Sequence, residues 1–197
     1  MQLTVGNLAG LVRLTLADPR LAARAVMAQP IPVQIRWGAL VLMAVLSAFL
    51  MQAMTALMPP MTGPDGEVIA PLGPFFWAGM VASGMVVTAL LVHHVGRWRG
   101  GNGTLGDAVL LVAWLQFIQL LTVLLQIVLM FVLPFAVPLV EIAGLLLFVW
   151  LLVNFVAELH GFRSLGLVFL GVVITFFVAV MSLTVVLMML GVSVGDV

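Results

Sequence analysis

The seven arginines of the chain lie in three polar segments, and long apolar runs without a basic residue separate them. Arg13, Arg20, Arg24 and Arg36 precede the first run, Arg97 and Arg99 fall between the second and third, and Arg163 falls between the fourth and fifth. The connections around 58–74 and 132–138 carry no Lys or Arg, and neither does the tail after residue 189. This alternation is what the positive-inside rule produces in a multispan membrane protein with a cytoplasmic N-terminus. The expected fold is therefore all-α: a polytopic membrane bundle of five transmembrane helices, preceded by a cytoplasmic interfacial helical segment.

Composition closes off the alternatives. The chain is 64% apolar and 7% charged, whereas soluble domains are about half apolar and about a quarter charged. Only lipid accommodates so much apolar surface. The formal net charge is zero, which gives no reason to expect a nucleic-acid partner. The absence of cysteine excludes disulfides, thiolate metal sites and thiol nucleophiles. The first 30 residues lack a compact apolar stretch followed by a small-residue cleavage site, so no secretory signal is expected. Continuous apolar runs, instead of short alternating segments, argue against an outer-membrane barrel. The expected location is a membrane crossed several times, with the C-terminus on the outer side.

Residues 1–32 read as a cytoplasmic amphipathic segment. Val5, Leu8, Val12 and Leu16 follow helical spacing, while Arg13, Arg20 and Arg24, with Arg36 just beyond, offer positive charge to anionic lipid headgroups. Asp18 followed by Pro19 predicts an N-cap and a second short helix, and Pro30 and Pro32 should end it. The membrane domain then covers 33–190, with spans at Trp37–Leu57, Phe75–Val92, Ala108–Phe131, Leu139–Ala157 and Leu165–Met189. Each is long enough to cross a hydrocarbon core of about 30 Å at about 1.5 Å per residue. Residues 191–197 form a short outer tail. The 58–74 connection holds Pro59, Pro60, Gly63, Pro64, Gly66, Pro71, Gly73 and Pro74, and its only charges are Asp65 and Glu67, which suits an irregular outer loop. His93 to Thr104 reads as a basic, glycine-rich inner loop. Thr104 and Asp107 then resemble a capping box whose two side chains would satisfy free N–H groups at the helix start. Pro134 and Pro138 mark the turn between spans three and four.

Three sets of residues are candidates for function. Gln119 and Gln126 lie about 20° apart on a helical wheel, with Gln116 about 60° from Gln119, so all three share one face of span three. Asn154 and Glu158 share a face of span four with Trp150. Together these five side chains form a candidate polar intramembrane face. It serves either as a path for a solute or lipid headgroup, or as hydrogen-bonded glue between helices, and glue is the commoner use of amides. For Glu158 the favoured arrangement is an ion pair with Arg163. His93, His94, Asp107, His160 and Arg163 gather in the inner loops as a second candidate site. Histidine and carboxylate suit several divalent ions, but no spacing matches a metal motif, so interfacial histidines are preferred and no metal or cofactor is expected. Arg13, Arg20, Arg24 and Arg36 are the third set, the headgroup contacts.

No catalytic constellation emerges. Ser47, Ser83 and Ser182 lack a G-x-S-x-G context, and the Gly100–Gly103 loop lacks the lysine of a phosphate-binding loop. Trp37, Trp77 and Trp98 sit near predicted span ends as interface anchors. Gly79 and Ser83 make a small-xxx-small pair able to pack on another helix within or between chains. The expected role is non-enzymatic: organising or binding membrane components, with lipids and a membrane-protein partner or a second copy as partners. The alternative is a transporter or lipid-moving protein that uses the polar face.

The stretch Gly96-Arg-Trp-Arg-Gly-Gly-Asn-Gly-Thr-Leu-Gly-Asp-Ala108 leading into an apolar span resembles a hallmark of the Yip family (Ypt/Rab GTPase-interacting proteins), which has a bacterial branch. Glu158-Leu-His-Gly-Phe-Arg-Ser164 is similar to the His-Gly connection before that family's final span. The resemblance implies five spans with a cytoplasmic N-terminus and covers most of residues 19–190. Eukaryotic members bind Rab GTPases partly through an Asp-Leu-Tyr-Gly-Pro motif before the first span. That motif is absent and the chain has no tyrosine; Leu72-Gly-Pro-Phe-Phe-Trp77 is a faint echo on the wrong side. A GTPase partner is therefore not implied. If five spans are crossed from a cytoplasmic start, a reporter fused after Val197 should report the outer compartment, and cytoplasmic behaviour of that fusion would overturn the topology.

Overall fold

The computed structural model of the protein describes residues 5–57, 66–67 and 72–189. Two short helices, α1 (Val5–Ala17) and α2 (Pro19–Met27), precede five long ones: α3 (Val33–Leu57), α4 (Pro74–Trp98), α5 (Leu105–Val132), α6 (Val137–His160) and α7 (Leu165–Met189). The five long helices are long and apolar enough to cross a membrane, so the protein is an all-helical, multi-pass membrane protein. Most of the proline-rich connection, with Pro59, Pro60, Gly63, Pro64, Asp65 and Pro71, lies outside the described residues, as does the 191–197 tail.

Local chemistry sets the element ends. Asp18 caps α2 by accepting from the Leu21 N–H at 3.0 Å, with Pro19 opening the helix. Leu133 ends α5, and Pro134–Ala136 forms a single 3₁₀ turn from which α6 departs, since proline fits the first turn of a helix but not its interior. The helix α4 does not stop at Val92 as expected: it runs on through His93 and Arg97 to Trp98. Nothing in that hexapeptide breaks a helix except Gly96, and the true breaker is Gly100, which takes the left-handed conformation at φ +87°.

The central element is α5. It packs against α3 on one flank, α6 on another and α4 between them, while α7 rests chiefly on α6. Small residues let the backbones approach: Ala44 and Ala48 of α3, Ala89 of α4 and Ala113 of α5 are all buried beside Leu40, Met85, Val109 and Val112. A second apolar cluster joins Leu111, Leu115 and Ile118 of α5 to Leu151 and Phe155 of α6, and Ala23 and Val26 of α2 close its end. The outer faces of α3 and α7 stay covered with exposed Leu, Val, Ile and Phe, for example Phe49, Ile174 and Phe177, as lipid contact requires.

The α1–α2 hairpin is docked on the bundle more firmly than an interfacial helix needs. The Trp114 indole donates to Thr15 Oγ1 at 3.1 Å, and the Thr15 hydroxyl donates to the Leu11 carbonyl at 2.8 Å. Thr15 is wholly buried, whereas Leu16 is half exposed. The docked face of α1 is thus Leu11, Val12 and Thr15, rotated from the predicted stripe through Leu16, because the indole of α5 draws a hydroxyl towards it.

Midway along α6 the helix packs tightly on α5 at Gly144, where a Cβ would lie 2.9 Å from Thr122 Cγ2. Gly144→Leu is therefore expected to destabilise the protein by about 1–3 kcal/mol through overpacking, seen as a lower thermal midpoint in detergent. Gly171→Leu, which meets no neighbour within 4 Å, should leave that midpoint unchanged.

Candidate functional site

The starts of α3, α5 and α7 and the ends of α4 and α6 meet at one end of the bundle, the end that bears the arginines. Here α4 and α6 terminate in the same way. Gly101 N–H donates to Gly96 O at 2.9 Å and Gly100 N–H to Arg97 O at 3.0 Å; Phe162 N–H donates to Ala157 O at 2.8 Å and Gly161 N–H to Glu158 O at 3.3 Å. Both are Schellman caps built on a left-handed glycine, Gly100 and Gly161. The two turns lie side by side, and His160 fills the space between them.

His160 is 3% exposed, and its ring is enclosed by glycine. A Cβ on Gly96 or Gly101 would collide with the imidazole, and one on Gly103 would stand 2.8 Å from its Cε1 and 2.5 Å from Leu159 Cγ. This contact explains why a glycine sits inside α4 at position 96. Both ring nitrogens are engaged. Gly103 N–H donates to Nδ1 at 3.2 Å, and Nε2 lies 3.0 Å from the Val92 carbonyl. Since a carbonyl only accepts, Nε2 carries the hydrogen, and the ring is the neutral Nε2–H tautomer. Phe162 stacks on the same ring at 5.5 Å.

Beside this core, Glu158 gathers two cations from α2. Arg20 Nε donates to Glu158 Oε2 at 3.1 Å, and Arg20 Nη2 donates to the Phe162 carbonyl at 3.0 Å. Arg24 grips the same carboxylate through Nε and Nη2. That hydrogen bond, and then the carboxylate charge, raise the Arg24 guanidinium above its ordinary range. The expected partner Arg163 is exposed and forms no ion pair with a described residue. The reason is the left-handed turn at Gly161, which carries the chain away from the carboxylate. A second bridge joins α3 to α5: Arg36 donates to Asp107 and, at 2.9 Å, to the Ile31 carbonyl. Thr104 caps α5 as expected, accepting from Asp107 N–H at 3.1 Å. Asp107 does not complete a capping box, because its carboxylate is turned to Arg36 and to the Thr104 hydroxyl.

Of the proposed headgroup arginines, Arg20, Arg24 and Arg36 thus have carboxylate partners within the chain, and only Arg13 is exposed without one among the described residues. His94 is exposed and its Nδ1 donates to Leu90 O at 2.8 Å, while His93 lies against it with ring centroids 5.0 Å apart. His160 lies inside its glycine cage and is hydrogen-bonded to the carbonyl of Val92, the residue before that pair. Among the described residues, no group of three His, Asp or Glu side chains is placed to hold a metal ion.

Within the membrane region the glutamine face is partly spent on packing. Gln116 Nε2 donates to Ser47 Oγ of α3 at 2.9 Å, and Ser47 donates to Met43 O at 2.7 Å. Asn154 is buried and turns back on its own helix, donating to Trp150 O at 2.8 Å. Gln119 and Gln126 have no hydrogen bond to a described residue. The cleft among Val92, Leu115, Phe155 and Leu159 measures about 10 Å³ and is wholly apolar, room for one water at most. One polar residue was missed by sequence: Gln52 continues the Leu40–Ala44–Ala48 row of α3, and its buried Oε1 has no hydrogen-bond partner among the described residues. The signal available was an amide within an apolar run. Gly79 and Ser83 are exposed on α4, so that small-residue pair does not pack within the chain.

The family model of the Yip1 domain matches residues 13–187, and the chain belongs to that family. The match takes in the docked α2, the glycine loop and the His160 turn together. No curated protein and no solved structure matches the chain.

Removing one partner of the clasp should loosen α2 selectively. Glu158→Gln leaves half-buried Arg20 with a weaker acceptor, an expected loss of about 1–3 kcal/mol, read as faster amide exchange through Pro19–Met27 while α5 stays protected. Arg24→Ala should have the smaller effect of the two arginine truncations, since its side chain is 64% exposed against 33% for Arg20.

Proposed function

We propose that this member of the Yip1 family is a non-enzymatic membrane organiser: it binds membrane lipids and a partner membrane protein or second copy, and it catalyses no reaction. The observation that carries this reading is the Gln116–Ser47 hydrogen bond. Gln116, the glutamine of the polar face nearest the arginine-bearing end, is engaged in joining α3 to α5 and is not free for a solute, and such a bond contributes about 1 kcal/mol to helix association. The surfaces left for partners are lateral and terminal. Laterally, α4 presents Gly79 and Ser83 to the lipid phase, where small residues permit close approach of another helix.

At the terminal surface, Arg13, Arg97, Arg99 and Arg163 are exposed and suit anionic headgroups. Arg20 and Arg24 lie at the same end while holding the hairpin in place, and Arg36 there ties α3 to α5. By the positive-inside rule this end faces the cytoplasm, with the C-terminus in the periplasm, and a bacterial inner membrane is the setting proposed. Counted on that topology, Arg13, Arg20, Arg24, Arg36, Arg97, Arg99 and Arg163 stand against only Asp18, Asp107 and Glu158 inside, while Asp65, Glu67, Glu141 and Asp196 lie outside. The excess of arginine at that end supports the preference for anionic lipid.

A second reading rests on Gln52. An unpaired buried amide oxygen costs about 1–3 kcal/mol, and its place on α3, with Gln119 and Gln126 on α5, favours a transporter or lipid-moving role through the polar intramembrane face.

Native mass spectrometry of the protein released from mild detergent separates the two. A defined homo-oligomer or a stoichiometric protein partner, lost on Gly79→Leu, together with retained anionic phospholipid, is the expected result. A monomer that retains one specific solute, and loses it on Gln52→Leu, would overturn the organising role in favour of transport.

A further inference from the structure

We infer that His160 is a proton-operated latch: its neutral ring holds the loop between α4 and α5 closed on the end of α6, and protonation releases that loop. The inference rests on how completely the ring is committed. Nδ1 accepts from Gly103 N–H at 3.2 Å, and Nε2–H donates to Val92 O at 3.0 Å. A proton added at Nδ1 would set two N–H groups against each other, its own and that of Gly103, and no side chain of Gly96, Gly101 or Gly103 is there to accept it.

The surroundings do not supply a counter-charge either. From α4 and its loop come His93 and Arg97, both within electrostatic reach of the ring, and Arg99. From α5 comes Asp107, which is turned to Arg36. On α6, Glu158 is held by Arg20 and Arg24 of α2, and beyond the cap lies Arg163. Every nearby carboxylate is therefore engaged with arginine, and the unpaired neighbours are basic. An imidazolium held there would be a buried cation without a carboxylate partner, a costly state that leaving the cage for water relieves.

The mechanical consequence follows from what the ring joins. It bridges Val92 of α4, Gly103 before α5, and its own α6. Its departure opens the 99–104 segment, where the left-handed Gly100 and exposed Asn102 give the chain freedom to swing. Histidine is the side chain whose ordinary titration falls in the physiological range, and neither flanking Schellman cap depends on the proton.

The chain has no cysteine, so Asn102→Cys carries a single nitroxide label in the full-length protein in lipid nanodiscs. The expected spectrum is immobilised at about pH 8 and gains a mobile component at about pH 5. The response should be lost in His160→Gln and kept in His93→Gln and His94→Gln. Lineshapes that match at both pH values, a response that survives His160→Gln, or one abolished by either of the other two substitutions would overturn the latch. A second readout uses the unsubstituted chain and does not depend on a variant folding: ¹⁵N-histidine NMR should show one imidazole as a slowly exchanging Nε2–H tautomer. Three histidines that all exchange freely, or a buried Nδ1–H tautomer, would also overturn it.

Discussion

A carboxylate one turn from the end of a membrane-spanning helix is costly unless cations come to it. In this protein they come from the far end of the sequence. Arg20 and Arg24 reach Glu158 across more than 130 residues of chain, at separations of 138 and 134. The pairing fixes α2 against α6, α2 in turn covers the end of the α5–α6 core through Ala23 and Val26, and the hairpin then positions Thr15 for the Trp114 indole. Arg36 and Asp107 repeat the arrangement for α3 and α5. Arg20, Arg24 and Arg36 thus tie helices together, so on the proposed orientation one set of side chains would serve both the positive-inside bias and packing.

That shared use explains what could be read in advance and what could not. The five long helices were legible because bilayer thickness demands about 20 apolar residues in a row, and the capped start of α2 at Asp18 and Pro19 was legible because its chemistry is local. Two differences between sequence and structure have a common origin. Nearness in sequence pairs Glu158 with Arg163, and the polarity of the residues after Val92 ends α4 there, whereas the structure does neither. Both depend on where a glycine turns left-handed, at Gly161 and Gly100, and on what fills the gap between the two turns. Gly96 looked like part of a loop motif; in space it is the hollow that receives an imidazole from another helix.

Two stretches far apart in the sequence meet in space. The glycine-rich stretch and the His-Gly turn, separate features of the sequence, are the two halves of one contact. A histidine enclosed by three glycines is a specific solution to joining two helix ends, since any larger side chain at those positions would have no room. The Yip1 match over residues 13–187 spans both halves.

The order of the helices carries a consequence for how the protein is made. Both α3 and α5 begin at the arginine-bearing end, so these neighbours run parallel with α4 crossing back between them. Ser47 must therefore wait for Gln116, which is synthesised 69 residues later. At about 5–20 residues per second the wait lasts roughly 3–14 s, during which the Ser47 hydroxyl of the first hairpin lacks its partner on α5. A factor that shields polar side chains of nascent membrane helices has its opening at Ser47 in that interval, and the arrival of the Gln116 amide closes it.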